Sequence, residues 1–164
     1  MVGSLRLFCN EEEIKVPQSR DRVEQVESTL AGVLLPDGIR IRAWAESDFT
    51  AIEKLSTAEG WPTPSHRADE ALAAFRASWP TLVVKHEGRV IGFLRALTDG
   101  QITTYIAEIL IAPEWRGEKL GQALVDVCHR LYPSTRLDLL STESSDGFYE
   151  AIGFRRFHGF RKSY

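Results

Sequence analysis

The pattern of apolar positions changes near residue 37 and divides the chain into two parts. Before that point, apolar residues recur every three or four positions, as on one face of a helix. These residues are Val23, Val26, Leu30 and Val33. A strand-like and then acidic segment precedes this helix, and the Pro-Asp-Gly turn at residues 36–38 follows it. We therefore predict an N-terminal extension over residues 1–36, packed on a core or on a partner, ahead of a domain over residues 37–164.

The first half of this domain reads as one strand and two helices. IRIRAW, residues 39–44, alternates as a strand does, and residues 45–60 have the period of a helix. A second helix is predicted over residues 65–79, with Ser65 as its N-cap. The apolar face of this second helix carries Leu72, Phe75 and Trp79.

The second half is richer in strands. Residues 81–113 predict a three-strand meander, with Glu87-Gly88 and Asp99-Gly100 as its turns. The elements predicted after it are a helix over residues 120–131, a strand over 136–141, a short helix over 146–153 and a final strand over 154–164. The complete order is β-α-α-β-β-β-α-β-α-β, which is typical of a mixed α/β sheet.

Composition and charge argue against nucleic-acid-binding and membrane proteins. The length of 164 residues suits one domain, and the net charge of −3 provides no general attraction to nucleic acid or to anionic membranes. No apolar run approaches the roughly 20 residues that span a bilayer. Acidic residues occupy the place where a signal peptide has its apolar segment. We therefore expect a cytoplasmic protein that binds neither membrane nor nucleic acid.

Cysteine content argues against a metal site. The chain has two cysteines, Cys9 and Cys128, too few and too widely spaced for a zinc site or a disulfide framework. Cys128 lies within the helical pattern, and we interpret it as a packed thiol. No metal ion is expected.

The start of the helix after the meander is the strongest candidate for a binding site. EWRGEKLGQALVDVCHRL, residues 114–131, places Arg116, Gly117 and Gly121 at the first turn of that helix. Unpaired backbone N–H groups and the helix dipole make such a start attractive to phosphate. The alternative is simple helix capping, which spacing alone does not exclude.

Three segments in order resemble the GNAT-type N-acetyltransferases. The strand TYIAEILIAP leading into RGEKLGQ is similar to that family's acyl-CoA motif, [RQ]-x-x-G-x-[GA], with Arg116 and Gly121 at its ends. FYEAIGF, residues 148–154, resembles the later Y-E-x-x-G-F signature, and RVIGFLRAL, residues 89–97, an earlier strand pair. The resemblance covers residues 38–164. It implies an α/β GNAT fold: a mixed, mostly antiparallel central sheet with splayed strands 4 and 5 and flanking helices.

The resemblance also implies acetyl-CoA as cosubstrate and a place for it. In this family the strand here ending at Ile111 diverges from the next strand, the pantetheine arm enters the gap, and the pyrophosphate lies on the following loop. The cofactor-binding residues implied are Ile109, Leu110, Ile111, Arg116, Gly117, Glu118, Lys119, Leu120, Gly121, Gln122, Ser145 and Tyr149. Lys119 stands where the family usually has its central glycine. A positive φ there would strain lysine, while its ammonium group is suited to a phosphate.

Two residues are predicted to act in catalysis. The family resemblance implies that Tyr149 protonates the departing thiolate of CoA; the alternative is a tyrosine that only packs its helix. Glu108 interrupts an apolar strand, and alternation places it on the side of Ile106 and Leu110. We expect it to act as general base, and the alternative is a glutamate bonded to a neighbouring Arg or Thr. A backbone N–H near Leu110 or Ile111 is the expected oxyanion donor.

The acceptor is predicted only as a class. Trp61 lies in the loop that borders the acceptor site in this family, where an aromatic ring is suited to a cationic amine; the alternative is a tryptophan at the core edge. With Glu108 it forms the predicted substrate site for a small-molecule or peptide primary amine. The competing hypothesis is a non-catalytic acyl-CoA-binding sensor or scaffold module. The resemblance is also compatible with a homodimer.

Overall fold

A computed structural model of the protein describes residues 19–162. The strand-like segment predicted before residue 19 lies outside this range. The helices are α1 (Ser19–Thr29), α2 (Phe49–Ala58), α3 (Thr63–His66), α4 (Ala68–Ala77), α5 (Leu120–Leu131) and α6 (Asp146–Ala151). The strands are β1 (Ile39–Ala43), β2 (Thr81–His86), β3 (Arg89–Thr98), β4 (Thr103–Ile111) and β5 (Arg136–Leu139). Short 3₁₀ turns precede α2, α5 and α6.

The strands form one mixed sheet in the order β1-β2-β3-β4-β5. The first four are antiparallel neighbours, and β5 pairs with β4 in parallel after the crossover through α5. The two predicted turns join the meander as expected. Glu87 and Gly88 both have positive φ, 47° and 84°, as a two-residue hairpin turn requires. In the second turn Asp99 accepts three backbone N–H groups, which hold the pKa of its carboxyl at about 2.

Helices cover both faces of the sheet and bury a separate core on each. One face packs against α1 and α5, through residues such as Val26, Leu124 and Val127. The opposite face packs against α2 and α4, around Phe75 and Phe93. The predicted face of α1 is confirmed only in part: Val26 is buried and Val23 is 42% exposed, while Leu30 and Val33 pack against the same core but lie beyond the end of the helix. Cys128 is buried on α5, and burial raises the pKa of its thiol to about 12.

The second predicted helix is interrupted, its proposed cap is wrong, and of its predicted face only Leu72 and Phe75 share one core. The helical conformation is interrupted at Arg67, between α3 and α4. The Ser65 hydroxyl donates a hydrogen bond to the Pro62 carbonyl, so Ser65 does not cap a longer helix. The backbone becomes extended at Ser78. Trp79 therefore enters the core on the α5 side, whereas Phe75 remains in the opposite core.

The predicted final strand is also wrong within the described residues. Residues 154–162 have no strand pairing, and Phe157 and Phe160 are 76% and 97% exposed. A strand requires a partner ladder as well as alternating residues. Gly159 lies against the Leu140 side chain, one residue beyond the end of β5. The segment therefore approaches the chain just beyond the end of β5, where the pairing of the sheet has already ended.

Candidate active site

A gap opens between β4 and β5, the last two strands of the sheet. The parallel pairing ends at Ile106 and Leu139, so residues 107–111 of β4 continue without β5 beside them. A β-bulge lies at the same point, because Arg95 pairs with Glu108 and Ala96 with Ile106, which leaves Ala107 without a partner on β3. The predicted divergence of strands 4 and 5 is therefore present.

The exposed edge of β4 presents backbone groups to this gap. The Ala112 N–H donates to the Ile91 carbonyl at 2.8 Å, so Ala112 directs its polar groups toward β3. Because successive residues of a strand alternate, Ile109 and Ile111 direct theirs toward the gap. An extended ligand with amide groups can pair with this edge as an additional strand would.

The loop after β4 leads to a helix start suited to an anion. The first helical bond of α5 runs from the Ala123 N–H to the Lys119 carbonyl, so the N–H groups of Leu120, Gly121 and Gln122 have no helical acceptor. Lys119, at the N-cap position, makes no side-chain capping bond. The helix dipole adds partial positive charge at the same place. The geometry therefore suits the pyrophosphate expected here.

Arg116 holds this loop in position. Its Nε donates to the Ile111 carbonyl at 3.0 Å, and its Nη2 lies 2.6 Å from the Glu59 carboxylate at the end of α2. The side chain thereby joins the end of β4, the loop and α2. Sequence analysis did not find Glu59, which is 57 residues from Arg116. The Arg116 side chain remains 49% exposed, so it also faces solvent beside the loop.

Lys119 adopts the left-handed conformation that its glycine-like position suggested. Its φ is 60° and its ψ is 13°. A left-handed conformation costs a non-glycine residue roughly 1–2 kcal/mol. The loop geometry is therefore retained at an energetic cost.

Lys119→Gly is expected to raise the free energy of unfolding by about 0.5–1 kcal/mol, because relief of strain exceeds the added flexibility of the unfolded chain. Lys119→Ala removes the same charge but keeps Cβ, and it should give no such gain. Urea denaturation of the three proteins measures the difference. Equal midpoints for the alanine and glycine variants would show that the backbone is not strained.

Glu108 lies at the bulge, and its predicted orientation needs correction. The unpaired Ala107 reverses the alternation, so Ile106 packs in the core on the α5 side while Leu110 packs in the core under α2 and α4. Glu108 therefore does not share a side with Ile106. One of its oxygens, Oε2, accepts a hydrogen bond from Arg95 Nε at 2.8 Å. This contact is the one that the alternative interpretation of Glu108 anticipated.

Arg95 is fixed by more than its ion pair. Its Nη1 donates to the Ser78 hydroxyl at 3.0 Å, and its guanidinium lies 5.5 Å from the centre of the Phe75 ring. The side chains of Arg95 and Glu108 are only 16% and 27% exposed. Within residues 19–162, the second oxygen of Glu108 has no hydrogen-bond donor. The carboxylate is thus held through one oxygen, and the other is available to a ligand.

Tyr149 is buried on α6 beside the same helix start. It is 9% exposed and packs edge-on against Phe148 and Phe154. Burial raises the pKa of its phenol above the ordinary value. The neighbouring Phe148 ring lies 3.2 Å from the position that a Cβ on Gly121 would take. Tyr149 is therefore carried by the helix that borders the predicted phosphate loop.

The other predicted site residues have ordinary structural contacts. Trp61 is partly buried against the core under α2 and α4, two residues from Glu59. Ser145 closes the turn before α6 through hydrogen bonds with Thr142. No cluster of His, Cys, Asp and Glu suited to a metal ion occurs in the part of the chain that the structure describes. None of the helices within residues 19–162 has the length and apolar character of a membrane span.

Comparison with known proteins identifies the family. A family model described as an acetyltransferase (GNAT) domain matches residues 78–156. The glucosamine 6-phosphate N-acetyltransferase of Trypanosoma brucei brucei is 30% identical over 131 residues, covering 71% of this chain and 89% of that protein. The chain belongs to the GNAT acetyltransferase family. As a GNAT member it is an acyl-CoA-dependent N-acyltransferase, as the resemblance implied.

Solved GNAT structures support the same conclusion at the level of the fold. A Trypanosoma brucei acetyltransferase is 28% identical, with a TM-score of 0.60 over 76% of this chain and 98% of that one. An aminoglycoside N-acetyltransferase in complex with CoA is 19% identical, with a TM-score of 0.60 over 79% and 99% of the two chains. Together with the sheet topology, these similarities confirm the predicted GNAT fold.

Proposed function

We propose that this protein transfers the acetyl group of acetyl-CoA to a primary amine by direct attack. The observation that carries the proposal is the continuous path from the uncapped start of α5, along the open edge of β4, to the bulge at Ala107. Along this path lie a site for pyrophosphate, a backbone edge for the pantetheine amides and a carboxylate near the strand divergence. These are the contacts that a long, amide-containing phosphate ester requires.

The cofactor is placed by the groups that face the gap. The pyrophosphate lies on the backbone of residues 117–122, with Lys119 adding a point charge. The pantetheine arm runs along Leu110 and Ile111 and pairs with the backbone of Ile109, since the Ile111 carbonyl already accepts from Arg116. Arg116 stabilises the loop through its ion pair with Glu59. Ser145 and Tyr149 border the thioester end.

The chemical step needs a base, an oxyanion donor and an acid. The amine nitrogen bonds to the thioester carbon, the carbonyl becomes an oxyanion, and the C–S bond then breaks to release the thiolate of CoA. Glu108 accepts the amine proton, directly or through water, on its available oxygen. The Ile111 N–H faces the gap and is the better oxyanion donor, because Leu110 is turned toward β3. Tyr149 gives its proton to the thiolate.

The acceptor is proposed to be a small primary amine, which Trp61 and Glu108 bind. Two similar proteins are named for small amine-bearing substrates, glucosamine 6-phosphate and aminoglycosides. The test is thiol release from acetyl-CoA over a panel of amines that includes glucosamine 6-phosphate, aminoglycosides and short peptides, with mass spectrometry of the products. Turnover with at least one amine is expected. Tight CoA binding without acetylation of any amine would favour the sensor or scaffold module instead.

Glu108→Gln is expected to lower kcat/KM by about a hundredfold, since general base catalysis typically contributes that much or more. The dissociation constant for CoA should change little, because the cofactor contacts are elsewhere. Glu46→Gln is the matched control. It also removes the carboxylate from a glutamate–arginine pair, here with Arg76, but this pair is exposed to solvent. If the two variants are equally active, Glu108 is a structural partner of Arg95 and the base lies elsewhere.

A further inference from the structure

A second concave site is lined by residues other than those assigned to acetyl transfer. It is a groove of about 460 Å³ between α2 and the β2–β3 hairpin. This volume is within the usual range of small-molecule sites, roughly 300–1,000 Å³. The groove lies over β2 and β3, whereas the gap lies between β4 and β5. None of the residues assigned to acetyl transfer lines it.

A β-bulge in the β2–β3 hairpin brings Val90 into the lining of this groove. Val84 pairs with Gly92 and Lys85 with Val90, so Ile91 has no partner on β2. Because of this bulge, Val90 and Phe93 both face α2, while Ile91 packs in the opposite core. Val90 thereby joins Ala51 and Leu55 of α2 in an apolar wall.

Positively charged side chains from the same two elements also line the groove. Lys54, Lys85 and Arg89 line it, and the carboxylate beside them, Asp48, is already occupied. Both Asp48 oxygens accept hydrogen bonds from Arg42, at 2.7 and 2.8 Å, and one also accepts the Ala45 N–H. Burial alone would raise the pKa of Asp48, but these bonds and the charges of Arg42 and Lys85 hold it below its ordinary value.

The three cations consequently keep most of their charge available. Lys85 Nζ is 3.8 Å from Asp48, a loose contact to a carboxylate that Arg42 neutralises. Among the described residues, Lys54 and Arg89 have no acidic partner. The start of α2, with the Ser47 hydroxyl, lies in the same groove and adds the positive end of a ten-residue helix.

We propose that this groove binds the phosphate monoester of a small organic molecule. A phosphate group has three terminal oxygens and close to two negative charges, which suits a groove lined by three cations better than a carboxylate does. The wall of Ala51, Leu55 and Val90 then contacts the organic part of the ligand. The proposal does not depend on the acceptor of the acetyl group.

The experiment uses phenyl phosphate as the probe, with amide chemical shifts as the readout. The protein is first saturated with CoA, so that the start of α5 is occupied. We expect phenyl phosphate to shift the amide signals of Ser47, Ala51 and Gly88, and inorganic phosphate to bind the same residues at least about tenfold more weakly. Phenol, which lacks the charge, should cause no shift.

Charge-reversal variants test whether Lys54 and Arg89 bind the phosphate group. The double variant Lys54→Glu/Arg89→Glu should weaken phenyl phosphate binding at least about tenfold while retaining CoA affinity, since both side chains are exposed and neither is among the residues proposed to bind CoA. Arg20→Glu on α1, a side chain 90% exposed on another element, is the matched control and should bind normally.

Four results would overturn the proposal. One is a set of shifts confined to α5. Another is binding that the double variant leaves unchanged. The third is binding of phenyl phosphate to the free protein but not to the CoA-saturated protein, which would assign the groove to the cofactor. Equal affinity for phenyl phosphate and inorganic phosphate would show that the site takes the free ion and would contradict an organic ligand.

Discussion

Tyr149→Phe is expected to lower kcat by about a hundredfold or more, within the usual contribution of a general acid. The dissociation constant for CoA should remain nearly unchanged, because the phenylalanine ring keeps the edge-on contacts with Phe148 and Phe154. Only the hydroxyl is lost, and with it the proton for the departing thiolate. Steady-state kinetics, together with calorimetric titration of CoA, measures the two quantities separately.

The pH dependence follows from the burial of Tyr149. Burial raises the pKa of the phenol, so the folded protein keeps it neutral throughout the physiological range. The stability contributed by the neutral phenol is present below its unfolded pKa of about 10 and is lost as the pH rises through the higher folded value. Any loss of kcat that Tyr149 causes must therefore begin above pH about 10. The phenylalanine variant should lack that loss.

Tyr105→Phe provides the matched control. Tyr105 lies on β4 where the strand is still paired with β5, opposite Asp138. Removal of its hydroxyl should leave kcat and CoA binding as they are in the unaltered protein. If Tyr149→Phe instead abolishes CoA binding or unfolds the protein, its hydroxyl has a structural role, and another group supplies the proton.

Gly121→Glu is expected to raise the dissociation constant for CoA by about a hundredfold, which corresponds to roughly 2.7 kcal/mol. A side chain at this position grows toward Phe148, whose ring already lies 3.2 Å from an ideal Cβ. The carboxylate also brings negative charge to a site formed for pyrophosphate. Calorimetric titration with CoA measures the effect.

Two comparison variants separate bulk from charge at this position. Gly121→Ala requires the Phe148 ring to move by only a few tenths of an ångström, so a small loss of affinity is expected. Gln122→Glu places the same charge one residue later without filling the space beside Phe148. Unchanged CoA affinity in Gly121→Glu would show that the pyrophosphate does not lie on this loop.

The features that sequence predicted well are those determined by neighbouring residues. The start of α5 and the positive φ of Lys119 follow from one short motif and the single position at which it departs from the family pattern. The turns at Glu87-Gly88 and Asp99-Gly100 are likewise local. The helical period also placed Val26 of α1 in the core, although it did not predict the exposure of Val23 or the end of the helix at Thr29.

The features that sequence did not predict depend on residues far apart or on one extra residue in a strand. Alternation around Glu108 is interrupted by Ala107, and no local signal marks an unpaired alanine. The partners Arg95 and Glu59 are brought to Glu108 and Arg116 only by the folded sheet. Trp79 changes face because the chain leaves its helix at Ser78. The segment after Phe154 has the alternation of a strand but no ladder to join.

The contact between Arg116 and Glu59 has a consequence for protein engineering. A designer who transplants the acyl-CoA loop into another scaffold would naturally cut before Pro113 and after Gln122. That fragment would carry an arginine whose carboxylate was left behind at the end of α2. The smallest transferable unit therefore consists of two separated pieces of chain, and a hybrid that exchanges α2 alone must bring an acid at position 59.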